Sequence, residues 1–245
     1  MRHTVIIPHR DRTPYLLLCL RTLLQAAEGY DVQIIVVDDS LGDVPMLAGV
    51  RYIKCLHPPD VFNKSKLLNI GLDHATGDLL TTLDADAIVG RMFFAAGQRV
   101  DWRHTHRLCY RVRYLPRYLT DKLLRGDIDV ENARRQWDYC RVGYEAYGKP
   151  TANRFTPLAE PWGNSQGTWH RDRLGGLRYD ERYEGRGYED LDLLKRYAAT
   201  HPDYRGEIVT DCDHAMLHME HDYEPSWRSP EMTRRNLRIF QGHPQ

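Results

Sequence analysis

The sequence predicts an α/β fold with a mostly parallel central sheet and helices on both of its faces. Two observations carry that expectation. Short runs of β-branched and other apolar residues alternate with segments of helical period through residues 1–90, the pattern of βαβ units. In VQIIVVDDS (32–40) the apolar residues 34–37 are continuous rather than alternating, as in a strand covered on both faces. A third observation concerns polar residues. Pro8-His9-Arg10, Asp38-Asp39 and Asp84-Ala85-Asp86 each stand where such a run finishes, and parallel sheets bind ligands at the carboxyl ends of their strands.

The elements follow in order. TVIIP (4–8) is a strand halted at Pro8. Thr13-Pro14 supplies an N-cap and a first-turn proline for a helix with Leu16, Leu17, Leu20, Leu23, Leu24 and Ala27 at helical spacing, closed by Gly29. The second strand spans 32–40 and a weaker third spans 50–56. A helix from Asn63 to Ala75 turns Leu67, Leu68 and Leu72 inward, and DLLTTLDADAIV (78–89) reads as one fourth strand. Further on, a helix is expected over 129–142, another begins at Glu189-Asp190, and GEIVT (206–210) reads as a strand.

Composition excludes several classes. With 245 residues, 34 Lys+Arg against 34 Asp+Glu, 42% hydrophobic residues and a mean hydropathy of −0.60, the chain fits one large or two small soluble globular units rather than a disordered one. The longest apolar stretch, Tyr15 to Leu20, is too short to span a bilayer. The apolar run begins too close to the amino terminus to leave room for a signal peptide. The expectation is a cytoplasmic protein, or one peripheral to a membrane, with no transmembrane segment. Cys19, Cys55, Cys109, Cys140 and Cys212 are scattered and form no CxxC pair, so neither a disulfide framework nor a zinc site is indicated. Neutrality is only an average: residues 99–154 hold 13 Lys/Arg against 7 Asp/Glu. That segment also carries Trp102, Tyr110, Tyr114, Tyr118, Trp137, Tyr139, Tyr144 and Tyr147. It reads either as a surface-wrapping insertion or as a basic, aromatic acceptor-binding surface.

Three constellations can carry chemistry. Asp84 and Asp86, two apart on a turn, can both face a hard cation such as Mg²⁺ or Mn²⁺ that also holds phosphates. His214, His218 and His221 stand among acids, where an imidazole can complete a carboxylate-bound metal site or be a satisfied loop histidine. Glu189-Asp190, behind Gly185-Arg186-Gly187, reads equally as helix-capping acids or as a general base. Neither G-x-G-x-x-G nor G-x-x-x-x-G-K-[ST] is present, which removes the ordinary dinucleotide and P-loop readings.

Together these residues resemble the GT-A fold nucleotide-sugar glycosyltransferases, in particular the β-1,4-galactosyltransferase family and bacterial family 2 enzymes such as chondroitin polymerase. IIPHRDR (6–12), FNKSKLLNIG (62–71), LDADAIV (83–89), EGRGYEDLD (184–192) and LHMEHD (217–222) are similar to that group's IIPFRNR, FNRAKLLNVG, D-x-D strand, GWGGEDDD and histidine-bearing C-terminal segment, in the same order. The resemblance implies a Rossmann-like GT-A fold, a single domain with an inserted basic segment. It implies a donor half over 1–98, the insertion over 99–154, and an acceptor and catalytic half over 155–245 with a C-terminal metal-binding segment.

It also implies roles. Pro8, His9, Arg10 and Arg12 would line the nucleotide pocket, Asp38 or Asp39 would read uracil, and Phe62 and Lys64 would touch the uridine. Asp84 and Asp86 would serve the metal and donor ribose, with Asp86 the metal ligand, His218 its histidine partner and His221 the alternate. Asp190 would be the catalytic base, helped by Glu189. The expected reaction is inverting transfer from a UDP-sugar to a hydroxyl acceptor with Mn²⁺ or Mg²⁺, and glycine-rich 163–167 or 185–187 would close over the donor. If the basic segment meets the acceptor, an anionic glycan, a phosphate-bearing lipid head group or a nucleic acid is implied. Arg186 stands where the family has tryptophan, and the family's membrane anchor and secretory cysteines are missing from this sequence. Competing readings are a retaining GT-A transferase, a nucleotidyltransferase, which would need a glycine-rich loop where PHRDRT has none, and a UDP-sugar or carbohydrate-binding protein without catalysis.

Overall fold

A computed structural model describes residues 1–55, 61–110, 112–136, 141–142, 166–185, 187–209, 216–222 and 229–242. Arg111, Trp137, Tyr139, Cys140, Tyr144, Tyr147, residues 163–165, Arg186, Cys212 and His214 lie outside them.

The first half follows the expected alternation: β1 (His3–His9), α1 (Thr13–Ala26), β2 (Val32–Asp38), β3 (Val50–Lys54), α2 (Lys64–His74) and β4 (Leu79–Thr82). β1, β2, β3 and β4 are parallel neighbours. Side chains alternate across a strand, so Val5 and Ile7 of β1 join the cluster under α1 with Leu16, Leu20 and Leu23, while Ile6 faces Leu68 and Leu72 of α2. Both faces of β1 are covered, which is why Val5-Ile6-Ile7 is an unbroken apolar run. Helix α2 starts where expected because the Asn63 side chain accepts from the Lys66 amide, a cap that contributes about 1 kcal/mol.

The remaining elements are β5 (Ala87–Val89), α3 (Phe93–Arg99), β6 (Arg107–Tyr110), β7 (Val112–Leu115), α4 (Arg117–Arg125), α5 (Val130–Arg134), β8 (Arg141–Val142), β9 (Gly167–His170), α6 (Arg171–Leu174), α7 (Glu189–Thr200), β10 (Gly206–Val209), β11 (Met216–Met219) and α8 (Pro230–Phe240). The main sheet runs β10-β6-β9-β4-β1-β2-β3, with β9 antiparallel to both neighbours. A smaller sheet runs β5-β11-β7-β8, and Ile88, Leu115, Leu217 and Met219 from it pack with Leu119 and Leu123 of α4 and Ala133 of α5.

Four expectations are corrected. The segment 78–89 is two strands in different sheets, because the chain turns between Thr82 and Ala87 and the Ala87 amide donates to the Asp84 carbonyl. The helix expected over 129–142 stops at Arg134, and Arg141–Val142 pair with β7 instead. Arg12 rather than Thr13 occupies the N-cap of α1, since the chain turns at Asp11 (φ 51°), whose amide donates to Ser40. The basic segment does not simply wrap the surface: β6 is interior to the main sheet, with Leu108, Cys109 and Tyr110 buried, and β7 lies inside the smaller one. Cys19, Cys55 and Cys109 form no disulfide among the described residues.

Candidate active site

The carboxyl ends of β1, β2 and β4 lie at one edge, and the polar residues that follow them converge there. His9 and Asp38 are register partners across β1 and β2. Asp38 Oδ1 accepts from His9 Nδ1 at 2.8 Å and from Ser40 Oγ at 2.6 Å, and its Oδ2 accepts from Lys54 at 2.8 Å. Burial alone would raise the Asp38 pKa, but these donors outweigh it and hold the carboxyl well below the usual range. The other nitrogen of His9 accepts from the Arg12 amide at 3.2 Å, so the ring carries its proton on Nδ1. Pro8 precedes it at a buried position of the strand. Arg10 pairs with buried Asp39 at 3.4 Å and donates to the Val61 carbonyl at 2.8 Å, and Phe62 packs beside Ile35, Val37 and Leu67. These contacts tie the ends of β1 and β2 to the segment that leads into α2.

Asp86 lies on the turn just before β5, and His218 is on β11. Backbone pairing fixes their approach: His218 is the register partner of Ala87, and the Met219 amide donates to the Asp86 carbonyl at 2.9 Å. Asp86, His218 and His221 each offer a ligand atom, all within 4.8 Å of one another. The sequence treated the two histidines as alternates; the structure brings both to Asp86, at 3.3 Å for His218 and 2.9 Å for His221. His221 Nδ1 donates to the Asp222 carbonyl at 2.8 Å, which in the neutral ring turns the Nε2 lone pair toward Asp86. One carboxylate and two imidazoles suit Mn²⁺ and other borderline divalent ions, so these residues fit the expected metal. The ground between them attracts positive charge: Arg12 Nη1 lies 2.7 Å from His221 Nε2 and 3.1 Å from Asp86 Oδ2. Burial would raise the Asp86 pKa, and the charges around it, His218 foremost, instead hold it well below the usual carboxylate range. Asp84 falls outside this set. Its Oδ1 pairs with Lys64 at 2.9 Å and its Oδ2 accepts from Gln166 at 3.2 Å.

Lys64, in the first turn of α2, points into a third group. Its Nζ lies 2.9 Å from Asp84, 3.6 Å from Glu189 and 3.8 Å from Asp190. Burial opposes its charge, but Asp190, Asp84 and Glu189 outweigh burial and hold the ammonium well above its ordinary pKa. Asp190 is raised well above the carboxylate range, first by burial and then by Glu189 and Asp84, with Lys64 pulling the other way. Its Oδ1 is buried without a hydrogen-bond partner, whereas Glu189 accepts from the Gly187 amide at 2.9 Å. One carboxylate is thus fixed by the backbone and its neighbour is left with an open lone pair.

The acids and histidines of these groups are all singled out in the sequence, and Lys64, expected beside the uridine, lies among Asp84, Glu189 and Asp190. Sequence reading misses Ser40, Lys54 and Gln166. Ser40 could have been found as the turn residue after Asp38-Asp39, but Gln166 is 82 positions from Asp84 and carries no local signal.

Residues 4–96 match the family model described as glycosyl transferase family 2. No curated protein matches the chain. Among solved structures, the chain is similar to S. aureus TarS 1–349 in complex with UDP-GlcNAc, with a TM-score of 0.61 and 14% identity over 98% of this chain and 65% of that one. It is similar to glucosyl-3-phosphoglycerate synthase from Mycobacterium tuberculosis in complex with Mn²⁺, UDP and phosphoglyceric acid, with a TM-score of 0.58 and 16% identity over 100% and 80%. It is also similar to the mannosyltransferase PcManGT from Pyrobaculum calidifontis in complex with GDP-Man and Mn²⁺, with a TM-score of 0.55 and 17% identity over 92% and 58%. The chain spans 58% of that mannosyltransferase and 39% of a longer TarS chain. Among the described residues no helix is long and apolar enough to cross a membrane. The chain therefore shares the GT-A fold of these solved structures, and its residues 4–96 resemble glycosyl transferase family 2.

Proposed function

We propose that this chain is an inverting, metal-dependent glycosyltransferase that moves a sugar from a UDP-sugar to an acceptor hydroxyl. The observation that carries the reading is the adjacency of two groups of opposite purpose: a metal-ligand triad at Asp86, His218 and His221, and a buried carboxylate, Asp190, with an open oxygen beside Lys64. The neighbours' complexes with UDP, UDP-GlcNAc, GDP-Man and Mn²⁺ support the same substrate class.

In this reading His9, Arg10 and Asp39 frame the nucleotide and Asp84 faces the donor. A divalent cation on Asp86, His218 and His221 would neutralise the leaving diphosphate. Asp190 takes the acceptor's proton through Oδ1 as the hydroxyl attacks the anomeric carbon from the face opposite the nucleotide, and a single displacement inverts the centre. The Asp190 pKa, raised by burial, makes it a stronger base than a solvated carboxylate. Glu189, tied to the Gly187 amide, orients α7 and leaves the proton to its neighbour. The donor half would be residues 1–98 and the acceptor side 155–245. The basic segment would meet an anionic acceptor, with Arg113 the described candidate on β7.

The test is a donor screen. UDP-sugars are incubated with protein and Mn²⁺, and UDP release by slow hydrolysis is measured. Release should require metal, vanish in Asp86→Ala, and fall by 10³ or more in Asp190→Asn while UDP affinity is retained. Near-normal turnover in Asp190→Asn would exclude it as the base.

A further inference from the structure

The approach to α7 is conformationally costly. Gly185 has φ 68°, Gly187 φ 105° and Tyr188 φ 74°, the last being a bulky residue in the left-handed region that side chains disfavour. Such outliers persist only where surrounding structure over-determines them, and they cluster where geometry serves function. The surrounding structure here is largely one element, α8.

Asn236 of α8 is completely buried, and its Nδ2 donates to two backbone carbonyls, of Glu184 at 2.8 Å and of Gly187 at 3.3 Å. Arg235 pairs with the Glu184 carboxylate. The Tyr188 ring packs on Phe240 with centroids 5.4 Å apart. Phe240 in turn lies under the Lys195 ammonium of α7 at 4.8 Å, and its carbonyl accepts from the same nitrogen at 3.1 Å. From the opposite side the Gly185 amide donates to the Phe62 carbonyl at 2.7 Å, next to the Asn63 cap that starts the Lys64 helix. The residues just before Glu189-Asp190 are therefore held between α8 and the start of α2. The contacts from α8 fall on Glu184, Gly187 and Tyr188, the last two having the largest positive φ of this segment.

We infer that α8 is a positioning strap for the catalytic carboxylates, with Asn236 and Phe240 as the positioning residues that keep Gly187 and Tyr188 in the conformation that aims Asp190 beside Lys64. The catalytic half of this inference rests on the transferase reading above; the structural half does not. The contacts of Asn236 and Phe240 described above fall on the segment before Glu189 and on α7, so their loss should change turnover and leave ligand binding alone. A buried asparagine serving only the core would instead lower global stability without a local signature.

The experiment uses the full chain and reads hydrogen exchange by mass spectrometry, without substrate, beside UDP release with Mn²⁺. In Phe240→Ala and Asn236→Asp, which keeps the shape but lacks the donor, amides over 185–190 should exchange at least tenfold faster. In both, kcat should fall at least tenfold, with UDP and Mn²⁺ affinities within twofold of wild type. Phe240→Tyr, which retains the stacked ring, should behave as wild type. If Asn236→Asp fails to fold, Phe240→Ala, at a half-buried position, carries the test. Unchanged local exchange, or faster exchange with unchanged kcat in an active enzyme, overturns the positioning role. An inactive wild type overturns the transferase reading, and exchange still decides whether α8 holds this segment.

Discussion

Arg12 donates to His221 across 209 residues of sequence at 2.7 Å, and the same nitrogen reaches Asp86 at 3.1 Å. A guanidinium thus sits between two candidate metal ligands, and it must yield ground for a cation to contact both. Arg12→Ala should bind Mn²⁺ about tenfold more tightly in the absence of nucleotide, equivalent to about 1.4 kcal/mol. Calorimetric titration without nucleotide checks this, and affinity equal to or weaker than wild type would show that Arg12 does not compete.

Lys64 sets the charge state of the acid cluster. Removing it in Lys64→Met takes away the cation that lowers the Asp190 pKa, leaving burial, Glu189 and Asp84 to raise it further. A base must be ionised to act, so the acidic limb of the kcat profile should move to higher pH. An unmoved limb would place the essential ionisation elsewhere. The substitution should also lower stability by about 3 kcal/mol, since it leaves buried carboxylates without their partner.

His3 provides a pH signal away from the site. It is buried at the start of β1, its Nε2 accepts from Gln98 at 3.2 Å, and its Nδ1 has no hydrogen-bond partner. Burial pushes its pKa down to about 4. The unfolded chain therefore binds this proton first, and the neutral ring's contribution is fully present above about pH 6.5 and is lost as pH falls toward 4. The loss amounts to about 3 kcal/mol. Urea unfolding should show a falling midpoint across that window, and His3→Gln should flatten it.

Gly77 is required by close approach. A Cβ there would lie 2.6 Å from the Thr4 nitrogen and 2.8 Å from the Arg2 carbonyl oxygen, backbone atoms that cannot step aside without shifting β1. Gly77→Ala should destabilise by about 2–3 kcal/mol. A thermal midpoint within 2 °C of wild type would contradict the packing.

The legible part of this molecule is the part written locally. Val5, Ile6 and Ile7 announce a strand buried on both sides, Asn63 announces a helix start, and acids after apolar runs announce a ligand edge. What stayed hidden depends on partners far apart in the chain. Nothing near Thr168 says that β9 runs against its neighbours, and the 78–89 run gives no sign that its two ends belong to different sheets. Lys64 reads locally as a basic residue in a helical first turn, and its role appears only when Asp84 and Asp190 arrive from elsewhere. Asn236 looks like a polar residue on a surface helix until its two carbonyl partners are in place.

The small sheet places β11 between β5 and β7, strands that precede it by more than 100 residues. During synthesis, β1 to β4 can pair as soon as they emerge, but Asp86 waits for His218, which follows it by more than 100 residues. Long-range pairings of this kind form late. In a growing chain the β1–β4 sheet can thus precede the meeting of Asp86, His218 and His221, which waits for β11 to be made.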